Sequence, residues 1–212
     1  MPYTKPTLAD LKVSLADRHD SGTLPTDSAT LSKWTRLFNR GVNYCINKLK
    51  ITKSTSLTTS SGTIALPDDF ISIVDVVNAS NQYLIQIAPQ DSEGATSGDL
   101  VFWITGDFAS GFSLNTTNDE TYTVYYSYRA VPMSSDSDTC PFPDEEAVVA
   151  YAYGQLRKSE SDPFEDSTNA LAECDARLKE IEGDFSNNEK PLRFSVQSFG
   201  GTNRDIRDIL SW

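Results

Sequence analysis

The chain has 212 residues, 38% of them hydrophobic and 10% aromatic, and a formal net charge of −12. That is enough apolar material for a real core in one large or two small domains. An acidic surface repels duplex phosphate and argues against sequence-specific DNA binding, and no apolar run approaches the length of a membrane span. The opening MPYTKPTLADLKVS has no apolar stretch of the secretory-signal type.

A first helix is predicted from about Leu8 to His19, with Thr7 as N-cap and Asp10 three residues on. Leu8, Leu11 and Leu15 share one face of it. A loop rich in turn and capping residues follows, then a longer helix over about 29–49. Leu31, Trp34, Phe38, Val42, Cys45, Ile46 and Leu49 form a continuous apolar stripe at three-four spacing. Lys33, Arg36, Arg40, Asn43 and Lys48 occupy the other face. Gly41 costs up to ~1 kcal/mol against alanine inside a helix, and is expected to admit a close neighbour.

From about 52 to 129 the pattern changes to Thr, Ser, Val, Ile and aromatics punctuated by Gly and Asn. Strands are predicted at 64–66, 71–79, 83–88, 100–105, 112–114 and 121–128, with turns at 67–70 and 78–82. The stretch 100–105 reads as buried, and Tyr122, Val124, Tyr126 and Tyr128 fall on one face of the last strand. Five to seven antiparallel strands are expected, in a small sandwich or barrel.

Helices return after Pro141. Pro143-Asp144-Glu145-Glu146 suits a positive helix N-terminus, and that helix should run to about Ser159 with Val148, Tyr151, Ala152 and Leu156 inward. Asp162-Pro163-Phe164-Glu165 starts another, ending near Asp184, with Leu171, Cys174, Leu178 and Ile181 on its apolar face. Neither helix pair can bury its stripe alone. The expected fold class is therefore α+β: an antiparallel helical bundle (1–51 and 139–185), an inserted β-sandwich or barrel-like unit (52–138) and an extended C-terminal arm (186–212).

That arm cannot fold alone, yet it is rich in large apolar residues: Phe194, Val196, Phe199, Ile206, Ile209, Leu210 and Trp212. Solvated tails are poor in such residues. The arm therefore reads as a segment that docks on another protein, or as a last strand and helix folded back on its own domain.

Chemical motifs are sparse. The one histidine, His19, reads as a surface residue near its helix end, and there is no Walker loop, GxGxxG or GxSxG. No metal or cofactor is expected. The acidic groups Asp68-Asp69, Asp136 with Asp138, and Asp144 to Glu146 read as turn and cap residues rather than a catalytic pair. The three cysteines Cys45, Cys140 and Cys174 are scattered, without CxxC. Cys45 and Cys174 read as small core hydrophobes, which fits a reducing cytosol, so the sequons at Asn78 and Asn115 read as chance. The aromatic strand 122–128 with Phe102 and Trp103 has two readings, a buried core or a sugar-stacking platform.

Two stretches carry a resemblance. WTRLFNRGVNYCINKL is followed by LPDDFISIVDVV, and VYYSYRAVP leads into CPFPDEEAVVAYAYGQL and a second helix. Over roughly residues 8 to 185 the chain resembles phage head-to-tail adaptor (connector) proteins, the rings below the portal of tailed phages. In short-tailed phages the resemblance implies a twelve-fold ring, a helical bundle with a β-rich insertion, and a C-terminal arm reaching into the portal. It implies as partners the portal, other copies of the chain, tail, nozzle or tail-fibre proteins, and genomic DNA passing through without specific binding. It places the protein in the virion neck, assembled in the host cytoplasm, and implies no enzymatic role. A neck stopper or tail-completion protein is a related reading. A small cell-wall hydrolase and a carbohydrate-binding tail module are the readings from other classes. For the adaptor, the seven apolar arm residues are the expected portal contacts, and Arg36, Arg40 and Lys48 the expected ring-interface residues.

Overall fold

Three of the helices begin where a capping side chain takes up free backbone N–H groups. The computed structural model of the chain describes residues 5–19, 22–160 and 164–188. Helix α1 spans Leu8–His19. The Asp10 carboxylate accepts the Thr7 N–H and hydroxyl at 2.7 Å each, which fixes its first turn. Helix α2 spans Ser28–Lys48 and is capped by Asp27, whose carboxylate accepts the Thr30 N–H at 2.7 Å. That bond holds the Asp27 carboxyl below its ordinary range. Helix α3 spans Glu145–Ser159 with Asp144 as its cap, and α4 spans Phe164–Asn188. The Asp162-Pro163 start signal lies outside the described residues.

Residues Met1–Leu178 belong to one compact unit, and the stretch from Lys179 belongs to a second, described here only as helix up to Asn188. Within the first unit α2 packs on α3, and α1 on both. Trp34, Phe38, Val42, Cys45 and Ile46 are fully buried, as the stripe requires. Leu31 and Leu49, at its ends, are only half-buried, while Leu37 and Gly41 join the core. A Cβ on Gly41 would lie 3.1 Å from Tyr151 Cδ1 and 3.2 Å from the Val148 carbonyl oxygen, so the close neighbour of Gly41 is α3. The first half of α4 buries Ala170, Cys174 and Leu178.

The β-rich region forms two sheets, and the chain is mixed α+β. Strands β1 (Thr52–Thr58), β7 (Thr121–Tyr128) and β3 (Phe70–Asn78) make one sheet in the order β1-β7-β3. Strands β2 (Thr63–Ala65), β6 (Gly111–Thr116), β5 (Val101–Asp107) and β4 (Ile85–Gln86) make the other, in the order β2-β6-β5-β4. The alternation of β7 sets the face: Tyr122, Val124 and Tyr126 point inward and join Phe70, Val76, Phe102 and Leu114 in one cluster drawn from both sheets. Tyr128 is only partly buried against it.

Three expectations are corrected. β4 pairs with β5 in parallel, so the strands are not all antiparallel. The stretch 83–88 holds only two strand residues, because Pro89 lacks an N–H and starts a 3-10 turn, Pro89–Gly94. β5 is not buried throughout, since its last three residues run out into an exposed hairpin. Gly106 pairs with Phe112 just before the turn at 108–110; its φ is +102° and an added Cβ would meet the Gly111 carbonyl oxygen at 2.1 Å.

A polar seam joins the end of β7 to the helices. Asn39 on α2 donates to the Met133 carbonyl and accepts the Met133 N–H, both at 2.9 Å. Asn43, one turn on, accepts the Ala130 N–H at 3.1 Å. Asp138 then caps the turn at Ser134 and Ser135, and the Leu8 N–H donates to the Asp138 carbonyl at 2.8 Å. Backbone groups that leave the sheet thus find partners on α2 and α1. Asn39→Leu should therefore strand two half-buried backbone groups and cost about 2–4 kcal/mol, read as a lower urea midpoint at unchanged m-value. A midpoint equal to the parent protein's would show that the seam contributes nothing.

Candidate functional site

The exposed side of α2 carries a cluster of basic side chains beside a groove. It follows from helical periodicity: once Trp34, Phe38 and Cys45 face the core, Arg36 and Arg40 must face out. Both are exposed, and neither has an ion-pair partner among the described residues. The fold adds residues that spacing along α2 does not reveal. Lys33, Arg36, Leu37 and Arg40 line a groove of about 310 Å³ with Gln155, Lys158 and Ser159 of α3. Arg40 also borders a second hollow of about 440 Å³, with Tyr44, Arg129 and Tyr151. The Tyr44 and Tyr151 rings stack there at 4.8 Å. The Tyr44 hydroxyl donates to Asp175 at 2.7 Å, and that bond, with burial, raises the phenol above its ordinary range.

Lys48 is placed differently. It sits at the far end of α2, 3.7 Å from Asp175 and over the Tyr44 ring, and it does not line the groove. Lys158 and Arg129 belong to this basic face and were not singled out from the sequence, because nothing in their spacing links them to α2. The seven apolar arm residues Phe194, Val196, Phe199, Ile206, Ile209, Leu210 and Trp212 lie outside the described residues.

Five of the carboxylates noted in the sequence are engaged in structural contacts. Asp69 binds Lys53 at 2.5 Å and accepts the Tyr126 hydroxyl at 3.2 Å. Asp136 pairs with Lys12 at 2.5 Å, Asp138 caps its turn, Asp144 caps α3, and Glu146 pairs with Arg177. No cluster of three or more His, Cys, Asp or Glu able to hold a metal occurs among the described residues. No helix there is long and apolar enough to cross a membrane. His19 is not the surface residue expected: its side chain is 14% exposed, its Nε2 lies 3.0 Å from Glu160 Oε2, and its ring meets Trp34 and Tyr153 edge-on. All three cysteines are free and buried. Contact with Cys174, together with burial, pushes the Cys45 thiol up, away from thiolate reactivity. Of the aromatic strand, Tyr122 and Tyr126 are buried with Phe102, while Tyr125 is exposed on the opposite face.

The described residues thus form a mixed α+β structure whose polar groups cap and brace it and which presents a basic helix face. No curated protein matches it. The SU10 adaptor protein family model matches residues 6–194, and the chain belongs to that family of phage adaptor proteins.

Proposed function

We propose that this phage adaptor is a head-to-tail ring protein: it binds the portal, extends the DNA channel and presents the platform to which the tail attaches. The family match over residues 6–194 carries the reading. In this reading 1–51 and 139–185 act as a helical bundle that builds the ring, 52–138 is a β-sandwich-like insertion, and 186–212 is the arm that docks on the portal. Copies assemble around the portal, twelve for a portal of that symmetry, through the α2 face with Arg36 and Arg40 and, further along, Lys48. Tail, nozzle or fibre proteins bind the opposite side. The net charge of −12 suits a channel through which DNA slides without being held. The site of action is the virion neck, reached after assembly in the host cytoplasm. The role is structural, without cofactor, metal or turnover.

Size-exclusion chromatography with mass measurement, of the protein alone and mixed with its phage's portal, tests this. The expected result is a complex whose mass matches a whole ring of adaptors per portal. Absence of co-elution at micromolar concentrations would overturn it. So would peptidoglycan turnover by the purified protein that is lost on Asp68→Asn or Glu145→Gln.

A further inference from the structure

Charge is segregated along this chain. Residues 28–53 contain six Lys and Arg and no Asp or Glu, whereas residues 54–128 contain nine Asp and Glu and no Lys or Arg. An acidic protein with well-mixed charges would show neither block.

Lys53 and Asp69 pair where the two blocks meet, but the fold keeps the rest of each block's charge at two separate poles. The positive pole is the α2 side of the groove, where Arg36 and Arg40 are exposed and Lys158 of α3 adds to them. The negative pole is a set of loops at the far end of the sheets. Segments 89–99 and 117–120 carry Asp91, Glu93, Asp99, Asp119 and Glu120. They are knitted together: the Thr117 hydroxyl donates to the Asp99 carbonyl at 2.8 Å, and Asn118 Oδ1 accepts the Gly98 N–H at 3.1 Å. Asp99 and Asp119 are held in place, accepting N–H groups of Thr96 and of Ser61 and Gly62 respectively. α2 leads into Thr52 at one end of β1, while Thr58, at the other end, pairs with Thr121 beside the acidic loops. A seven-residue strand spans roughly 20 Å, about two Debye lengths in physiological salt. The poles therefore do not neutralise one another within one copy.

Copies of a chain with net charge −12 repel unless the faces that meet differ in sign. A contact between two different faces of the same molecule is heterologous, and it gives a ring when its rotation closes and an open filament when it does not. We propose that the basic α2–α3 groove of one copy receives the acidic loops 89–99 and 117–120 of a second copy, and that this pairing sets the register of assembly. The inference rests on the ring reading above. Duplex DNA is the other polyanion that a basic groove attracts. The copy is favoured because the complementary surface is built into the same chain, and because a long polyanion would also meet the acidic remainder of the protein.

Charge reversal in the full chain tests this. Arg36→Glu with Arg40→Glu takes the groove's cations Lys33, Arg36, Arg40 and Lys158 from +4 to neutral. Asp91→Lys with Glu93→Lys takes the loops' five carboxylates from −5 to −1, at two exposed side chains that accept no hydrogen bond among the described residues. Assembly is read by mass, with and without portal, and folding by circular dichroism. Each changed protein should remain folded and lose at least about tenfold in assembly, because the attraction between the two faces is then largely removed. A one-to-one mixture of the two should assemble better than either alone, since half of its contacts are the parental pair and the other half set the new carboxylates of one variant against the new ammonium groups of the other. Two folded variants that fail to assemble when mixed, or either variant assembling like the parent, would overturn the pairing while leaving the ring intact. A parent protein that never self-associates, even on portal, would remove the ring reading itself. Loss of duplex-DNA binding without loss of assembly in the Arg36/Arg40 variant would assign the groove to nucleic acid instead.

Discussion

Gly41→Leu is expected to destabilise the protein by about 3 kcal/mol, whereas Gly41→Ala should change it by under ~1 kcal/mol. The difference comes from how closely α2 approaches α3. A Cβ at this position would sit 3.1 Å from Tyr151 Cδ1 and 3.4 Å from Val148 Cγ1, both side-chain atoms able to shift by a few tenths of an ångström. It would also lie 3.2 Å from the Val148 carbonyl oxygen, which can move only with the helix. Alanine adds that one atom and gains up to ~1 kcal/mol in helix propensity, so the two effects nearly cancel. Leucine adds three more atoms with nowhere to go, and the helices must separate. In a domain of this size the loss corresponds to a fall of roughly 6–12 °C in Tm. The same separation would open the groove lined by Arg36, Arg40 and Lys158, so assembly should weaken together with stability. Thermal unfolding of the two variants decides the matter. Equal midpoints for alanine and leucine would mean that the α2–α3 contact is not tight.

Gly41 also shows what could be read before the fold was known. A glycine on the rim of a strong apolar stripe announces a close neighbour but not which element supplies it. The helices themselves were legible, because their stripes, caps and acidic first turns all point the same way. α1 runs from Leu8 to His19 and β7 from Thr121 to Tyr128, as their patterns require. β1 was not separately legible: TKSTSLT has one large apolar residue, and its strand form comes from pairing with β7, not from a buried face of its own. The parallel β4–β5 pair was hidden for a related reason. Two residues carry no periodicity, and their direction is set by the 3-10 turn that follows. The groove was half legible. Arg36 and Arg40 announce an outward basic face, but Lys158 reaches them only through the packing of α3, and no spacing rule connects positions so far apart in sequence. His19 was misread because its neighbours in sequence are polar, while Trp34, Tyr153 and Glu160 come to it from other helices.

Ending the chain after Asn188 is expected to abolish attachment to the portal while leaving the rest folded. The removed stretch, residues 189–212, contains all seven apolar arm residues, from Phe194 to Trp212. The buried core residues of the described part run from Leu8 to Leu178. The core holding Trp34, Phe38, Tyr122 and Leu156 should therefore survive, with an unfolding midpoint within a few degrees of the full chain. Binding is another matter. Ordering an arm costs ~1–2 kcal/mol per residue in backbone entropy, so its docked contacts must be extensive to be worth having. In the sequence Leu192, Phe194 and Val196 alternate with polar residues, the pattern expected of a segment that adds to a partner's sheet edge, and Trp212 has the chemistry of a central anchor. Trp212→Ala alone should weaken portal binding by about 30-fold or more, the loss typical of a hot-spot residue. Removal of the whole arm should leave no complex detectable at micromolar concentrations. Co-sedimentation of portal with full-length, Trp212→Ala and truncated proteins separates these outcomes. If the truncated protein bound portal as tightly as the full chain, the arm would not be the portal contact, and the basic α2 face would be the next surface to test. If the truncated protein instead failed to fold, the arm would be part of its own domain, and its apolar residues would serve the core rather than a partner.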